Sequence, residues 1–165
     1  MTDQIQPPDL STDRDFDGAS FSAIYTTAVT VSGGVAGHGR ASGRARSADG
    51  VLDVSLRMPA ELGGDGRGTN PEQLFAAGLA ACFHGALSLV ARRAALDPAG
   101  IAVEATVTFG RDPGHGGYGL RVGLVVTWPG VAPEIAAPLL EKADSLCPYT
   151  RMAGQGTPTP ITLAP

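Results

Sequence analysis

Apolar and β-branched residues dominate Ala23–Ser32, which reads AIYTTAVTVS, so a strand is expected there. Gly33-Gly34, Gly37, Gly39 and Gly43 then break the pattern before Val51–Leu56 resumes strand-like alternation, fed by a hairpin turn at Ala48-Asp49-Gly50. After a flexible Gly63–Gly68 loop, Thr69-Asn70-Pro71-Glu72 supplies a capping residue, a first-turn proline and an acid facing the positive helix end. The helix it starts should run to Arg93 or Leu96 and stop before Asp97-Pro98. Ile101, Val103, Ala105, Val107 and Phe109 alternate with polar residues as one strand, and Tyr118–Trp128 makes a second with Leu120, Val122, Leu124 and Val126 on one face. A second helix is expected between Pro133 and Leu146, with Pro138 kinking it or marking its true first turn, and a closing strand around Ile161–Leu163. This order gives an α+β domain with a mostly antiparallel sheet and no internal repeat.

The run Leu74–Ala91 is nearly all apolar or small, close to the shortest length that spans a bilayer. Its Ala and Gly content, and His84 near the middle, favour a buried helix of a water-soluble domain, enclosed on nearly all sides by protein. The 165 residues fit one domain, here residues 23–165. Residues 1–22 read as an acidic tail: Asp3, Asp9, Asp13, Asp15 and Asp17 stand against Arg14 alone. The rest of the chain is balanced, with 11 basic and 11 acidic residues, so no basic footprint for nucleic acid exists. The opening lacks the basic start and apolar run of a secretory signal, and a cytoplasmic enzyme is the expectation.

Two cysteines carry the chemistry to be weighed. Cys82 falls in the middle of the apolar helix and Cys147 at the end of the second, 65 residues later. They read either as small buried hydrophobes or as a redox pair, in which one thiolate attacks an oxidant and the other resolves the product. Apolar burial favours the neutral thiol, so a reactive Cys82 needs a cation held beside it. Arg40, Arg44, Arg46, Arg57 and Arg67 are the candidates, and Glu61 and Glu72 are the acids able to orient one of them. Cys82 and His84 are a poor metal chelate, because residues two apart on a helix point to different sides. His84 reads as a hydrogen-bonded residue at the packing surface, and Trp128 as a strand-end core residue.

The stretch Thr69–Gly78 (TNPEQLFAAG) followed by Ala80-Ala81-Cys82-Phe83 resembles the first-cysteine motif of the organic hydroperoxide resistance proteins, within the OsmC-like superfamily. Cys147-Pro148-Tyr149-Thr150 resembles their second-cysteine motif, and the likeness extends over residues 23–165. It implies the OsmC-like fold, a long buried central helix in an intertwined homodimer, and a thiol peroxidase that reduces alkyl or fatty-acid hydroperoxides. On this resemblance Cys82 is the peroxidatic cysteine, Cys147 the resolving one, and Glu72 the acid paired with the catalytic arginine. That arginine falls on Arg40, with Arg44 or Arg46 as the fallbacks, because the usual Gly-Gly-Arg here reads Gly33-Gly34-Val35. Leu79 stands where the family usually has tyrosine. The resemblance implies no bound cofactor or metal, and dihydrolipoamide or a lipoylated protein as the reductant. The competing readings are an OsmC-type peroxidase of other substrate preference, and a sensor or lipid-binding module that uses the fold without turnover.

Overall fold

The computed structural model describes residues 20–21, 23–34, 42–114, 116–157 and 159–163. Two antiparallel sheets and three helices follow along the chain: β1 (Val29–Ser32), β2 (Gly43–Ser47), β3 (Asp53–Leu56), α1 (Pro71–Arg93), β4 (Ala102–Arg111), β5 (Tyr118–Thr127), α2 (Pro133–Leu146) and α3 (Pro148–Gln155). The sheets are β1-β2-β3 and β4-β5. The architecture is therefore α+β and antiparallel as expected, but divided into two sheets.

In the first sheet Val31 pairs with Ala45 and Ala45 with Val54. Because side chains alternate across a strand, Val29, Val31, Ala45, Val54 and Leu56 share one face, while Thr30, Arg44, Arg46, Asp53 and Ser55 share the other. β2 is the strand the glycine-rich reading passed over: its alternation of arginine with Ala45 and Ser47 is that of a two-faced strand. Gly43 is required at its start, where φ is +107° and a Cβ would lie 2.3 Å from the Ser32 carbonyl oxygen.

A single 3₁₀ turn at Ala60–Leu62 leads from β3 toward α1. Backbone bonds from Arg57 N to Thr69 O (2.8 Å) and from Thr69 N to Ser55 O (3.1 Å) tie the end of β3 to the start of α1. Asn70 caps α1 by accepting from the Gln73 amide at 2.9 Å, with Pro71 in the first turn. The helix closes at Arg93, where Leu96 N reaches Ala91 O and Ala95 N reaches Arg92 O.

The core belongs to the second part of the chain. α1 packs on β4, α2 and α3. Phe83, Leu87, Val90 and Ala91 of α1 meet Ile101, Trp128, Ala143 and Cys147 in one buried cluster. Trp128 is the core residue expected, its Nε1 donating to the Asp97 carbonyl at 3.2 Å. His84 Nε2 donates to the Ile101 carbonyl at 3.1 Å, which pins α1 to the head of β4. α1 is long and apolar enough to cross a membrane by length and composition, yet its Leu79–Phe83–Leu87–Val90 stripe is the inner wall of this core.

Three expectations are corrected. α1 is not enclosed on nearly all sides within one chain, since Gln73, Ala77, Ala81 and Gly85, four residues apart, form an exposed stripe. No strand forms at Ile161–Leu163, where both Ile161 and Leu163 are exposed. The chain instead forms α3 directly after Cys147, its first position taken by Pro148, whose fixed φ suits a helix start and whose missing N–H would have no partner there. Pro138 sits within α2 on its exposed side, so only the bond to the Glu134 carbonyl is forfeited. Residues 1–19 and Ser22, most of the acidic segment, lie outside the described residues.

Candidate functional site

α1 and the α2–α3 corner bring the two sulfurs together. Leu79 and Phe83 hold α1 against the core, and Cys82, beside them, is turned toward α2 at partial exposure. Cys147 closes α2, its amide bonded to Ala143 O at 2.9 Å, and at the same time caps the first turn of α3. Its side chain lies fully inside the core. The Cys147 thiol lies 3.3 Å from Cys82 Sγ, and both thiols are free. A disulfide requires about 2.05 Å between sulfurs, so bond formation needs an approach of little more than ~1 Å and no unfolding.

A second contact sets the direction of α3. Gly78 lies one helical turn before Cys82, and a Cβ there would stand 3.1 Å from the Tyr149 ring. The bare glycine thus lets the ring lie on α1, and the Tyr149 backbone N–H faces Cys82 Sγ. Neither α3 nor this contact was expected from the sequence; Cys147-Pro148, a capping position followed by a first-turn proline, was the available signal.

Within one chain the electrostatics oppose ionisation of Cys82. Burial pushes its thiol above the ordinary range and the neighbouring Cys147 thiol adds to this, while the Tyr149 amide pulls the other way. Among the described residues, no cation figures among the influences on Cys82. Arg40 lies outside the described residues. Arg44 and Arg46 stand on the polar face of the three-stranded sheet, and Arg44 is already engaged: its Nε and Nη2 donate to the two oxygens of Asp53, the second at 2.9 Å. That pairing holds the Asp53 carboxyl below the usual carboxylate range. Arg57 faces Asp65 at 3.7 Å. Glu72 is half-buried in the first turn of α1, ten residues and so ~15 Å along the axis from Cys82. The structure therefore brings Cys82 and Cys147 together and leaves Glu72 at a distance from them.

An open cleft of about 300 Å³ is lined by Leu79, Val122, Leu124, Thr150 and Ala153; neither cysteine lines it, but Leu79 and Thr150 each stand three residues from one of them in the chain. Its walls are mostly aliphatic, and Leu79 and Thr150 connect it to the two helices that carry the cysteines. Leu79 is buried at its floor. A larger cleft, about 720 Å³, lies beside Arg44, Arg57 and Gly64 at the three-stranded sheet, and neither cysteine lines it.

Comparison with known proteins accounts for this arrangement. Residues 64–162 match the family model described as OsmC-like protein. The organic hydroperoxide resistance protein of Xanthomonas axonopodis pv. citri is 41% identical over 143 residues, covering 86% of this chain and 95% of that one. The crystal structure of the organic hydroperoxide resistance protein OhrB of Bacillus subtilis superposes with a TM-score of 0.69 at 42% identity, over 81% of this chain and 93% of that one. A putative organic hydroperoxide resistance protein from Vibrio cholerae, solved with captopril in one of its active sites, gives 0.72 at 40% identity, over 82% and 88%. By family model, by sequence and by fold, the chain belongs to the organic hydroperoxide resistance proteins of the OsmC-like family.

Proposed function

We propose that this chain is a thiol peroxidase that reduces organic hydroperoxides to alcohols, with Cys82 as the attacking sulfur and Cys147 as the resolving one. The observation that carries the reading is the 3.3 Å separation of two free thiols, one partly exposed and one fully buried. The Cys82 thiolate attacks the terminal peroxide oxygen, the O–O bond breaks, and the alkoxide leaves as alcohol with a proton. Cys82 is then a sulfenic acid. Cys147 attacks that sulfur, water leaves, and a Cys82–Cys147 disulfide forms before a second peroxide drives Cys82 to the sulfinic state. A dithiol, dihydrolipoamide or a lipoylated protein, restores both thiols by exchange. The aliphatic cleft favours alkyl and fatty-acid hydroperoxides over hydrogen peroxide.

Because one chain by itself raises the Cys82 thiol, the reading requires a cation from elsewhere. Arg40 of a second copy, oriented by that copy's Glu72, fills this need in an intertwined homodimer. Two exposed apolar surfaces support it: the Ala77–Ala81–Gly85 stripe of α1, and Val29 and Val31 of β1. The guanidinium would stabilise both the thiolate and the charge developing on the peroxide oxygen.

The test follows tert-butyl hydroperoxide consumption with dihydrolipoamide. Cys82→Ser should abolish turnover, Cys147→Ser should stop after one oxidation, and Arg40→Ala should lose about 10²-fold or more, the scale of losing a charge-stabilising donor. Sustained turnover by Cys82→Ser would end the proposal. Loss in Arg44→Ala with Arg40→Ala active would reassign the cation. A wild type that oxidises once with no turnover in excess dithiol would be a sensor.

A further inference from the structure

We infer that the acidic N-terminal segment of the chain docks on the polar face of its own three-stranded sheet, with Asp13, Asp15 and Asp17 set against Arg46. The inference is independent of the peroxidase reading, since β1, β2 and β3 carry neither cysteine. A second copy seated on the apolar face of that sheet would leave the polar face bare. There Thr30, Arg44, Arg46, Asp53 and Ser55 are all exposed, while the helices pack on β4 and on one another.

The arginines of this region are not equally satisfied. Arg44 donates to both oxygens of Asp53, the second bond at 2.9 Å, and Arg57 faces Asp65 at 3.7 Å. Arg46 stands directly across from Asp53 in the register, but that carboxylate is taken by Arg44, and Arg46 makes no ion pair among the described residues. Its guanidinium lies over the β2–β3 turn, with Nη2 3.6 Å from the place a Cβ would occupy at Gly50. The acid of that turn is also engaged: Asp49 accepts from the Ser47 hydroxyl and from the Val51 amide. An exposed guanidinium without a counter-charge thus marks one end of the sheet.

The chain's surplus of negative charge is tied to that same end. Ala28 O accepts from Ala48 N at 3.0 Å, so the residues leading into β1 pass beside the turn over which Arg46 lies. Residues 1–20 carry Asp3, Asp9, Asp13, Asp15 and Asp17 against Arg14, while the rest of the chain is balanced. Asp17 is eleven residues from Ala28, a reach of up to ~36 Å in an extended chain, whereas Arg46 is two residues from Ala48. Residues two apart in an extended chain fall on one side, which groups Asp13, Asp15 and Asp17 away from Arg14 and Phe16. The same period sets Arg44 and Arg46 on one side of β2. A tether of this length gives the carboxylates an effective concentration on the order of mM, so contacts too weak to hold a separate acidic peptide are populated here.

The paired charges are exposed, so salt releases them: the Debye length falls from ~20 Å at ~0.02 M to ~4 Å at ~0.5 M. At low salt the segment covers this arginine-bearing face and keeps other polyanions off it.

The experiment uses the full chain, in which Lys142 is the single lysine. Arg46→Lys places an amine on the polar face, and a carbodiimide joins amines to carboxylates that touch them. At low salt, peptide mass spectrometry should find position 46 linked to Asp13, Asp15 or Asp17. The yield should exceed by at least about fivefold both the yield in high salt and that at position 121 in Arg121→Lys, an exposed arginine of β5. The linked species should run as a monomer under denaturing conditions; links found only in covalent dimers overturn the inference in favour of a second copy. Yields equal at the two positions, or insensitive to salt, overturn it as well.

A second measurement leaves every residue of the sheet in place. Asp13→Asn/Asp15→Asn/Asp17→Asn is compared with Glu134→Gln/Glu141→Gln/Asp144→Asn, which has the same net charge but alters exposed acids of α2. With its cover neutralised, the first variant should elute from heparin at ~0.1 M higher salt than the second. Equal elution would mean that the polar face is open in the unaltered chain, and the inference fails.

Discussion

Residues 71–155 and residues 29–56 use apolar surface in opposite ways. In the first region α1, β4, β5 and α2 enclose Leu79, Phe83, Leu87, Val90 and Ala91, and both cysteines grow out of that packed wall. In the second, three strands of four or five residues bury Ala45 and Leu56 but leave Val29 and Val31, on the same face, 47% and 57% accessible. Three short strands with such a face are marginal alone. The packed region already sets sulfur against sulfur but raises the Cys82 thiol. The open region includes, between β1 and β2 in the sequence, Arg40, and the apolar side chains it leaves accessible are what a second copy would bury. On the proposed reading, one association would supply both the cation that the first region lacks and the packing that the second lacks.

The comparison breaks most directly by truncating each half. Leu87→Ala, inside the core, should cost about 3–4 kcal/mol in a denaturant titration, the range for deleting a fully buried leucine side chain. Val31→Ala should cost under about 0.5 kcal/mol if the three-stranded sheet stands open as in one chain, and clearly more if a second copy covers it. Val31→Asp is the sharper version. A charge on a covered face should convert the protein to monomers in sedimentation and lower peroxide turnover by about 30-fold, equivalent to ~2 kcal/mol of lost association. Unchanged mass and activity would mean that the sheet works uncovered.

The sequence was most readable where local rules and tertiary demands agree. Asn70-Pro71 marks the start of α1 because capping and first-turn chemistry are local. Ile101–Phe109 reads as a strand because every second side chain faces the same core. β2 was hidden because its polar face carries Arg44 and Arg46, and Gly43 looked like a break when it serves a close approach. α3 was missed because PYTRMAGQ is only eight residues long and polar on average; the Tyr149 ring on Gly78 joins it to α1 across 71 positions of sequence. Leu120 and Val122 share the alternation of Leu124 and Val126, yet stand half-exposed because α1 and α2 cover only one end of β5. For the site, spacing told that two sulfurs and an acid were present. The fold shows what spacing could not: Cys147 is packed within the core cluster and Cys82 lies partly buried against it.

Arg40→Ala separates the contributions of the two halves to the thiol. With the cation absent, Cys82 keeps the setting of one chain, in which burial raises it. Its iodoacetamide alkylation, followed against pH, should then have its midpoint above that of the wild type, and at pH 7 the rate should fall by about tenfold for each unit of separation. Stability gives the same sign. A thiol raised on folding contributes stability that is whole below the unfolded-state value, near ~8.5, and is lost as pH climbs through the folded one. Arg40→Ala should therefore lose stability on the alkaline side more steeply than the wild type. Superimposable alkylation profiles would place the cation elsewhere.

The smallest effect is expected at the end of α1. Every other residue described with positive φ is a glycine, four of them between Gly33 and Gly50, but Ala95 adopts φ +57° where α1 turns toward β4. The turn is worth holding: Leu96 N bonds Ala91 O at 2.9 Å and Ala95 N bonds Arg92 O at 3.0 Å, which satisfies the last carbonyls of the helix whose next turns carry the core. A left-handed alanine costs about 1–2 kcal/mol; glycine removes that strain but gives part of the gain back through the greater freedom of the unfolded chain. Ala95→Gly should raise stability by about 0.5–1 kcal/mol, a few degrees in Tm, without altering turnover, since the turn lies at the far end of α1 from Glu72 and three helical turns beyond Cys82. A fall in Tm would mean that the Ala95 methyl group contributes packing that outweighs its backbone strain. A change in turnover would mean that the end of α1 communicates with the thiols through the helix that both regions share.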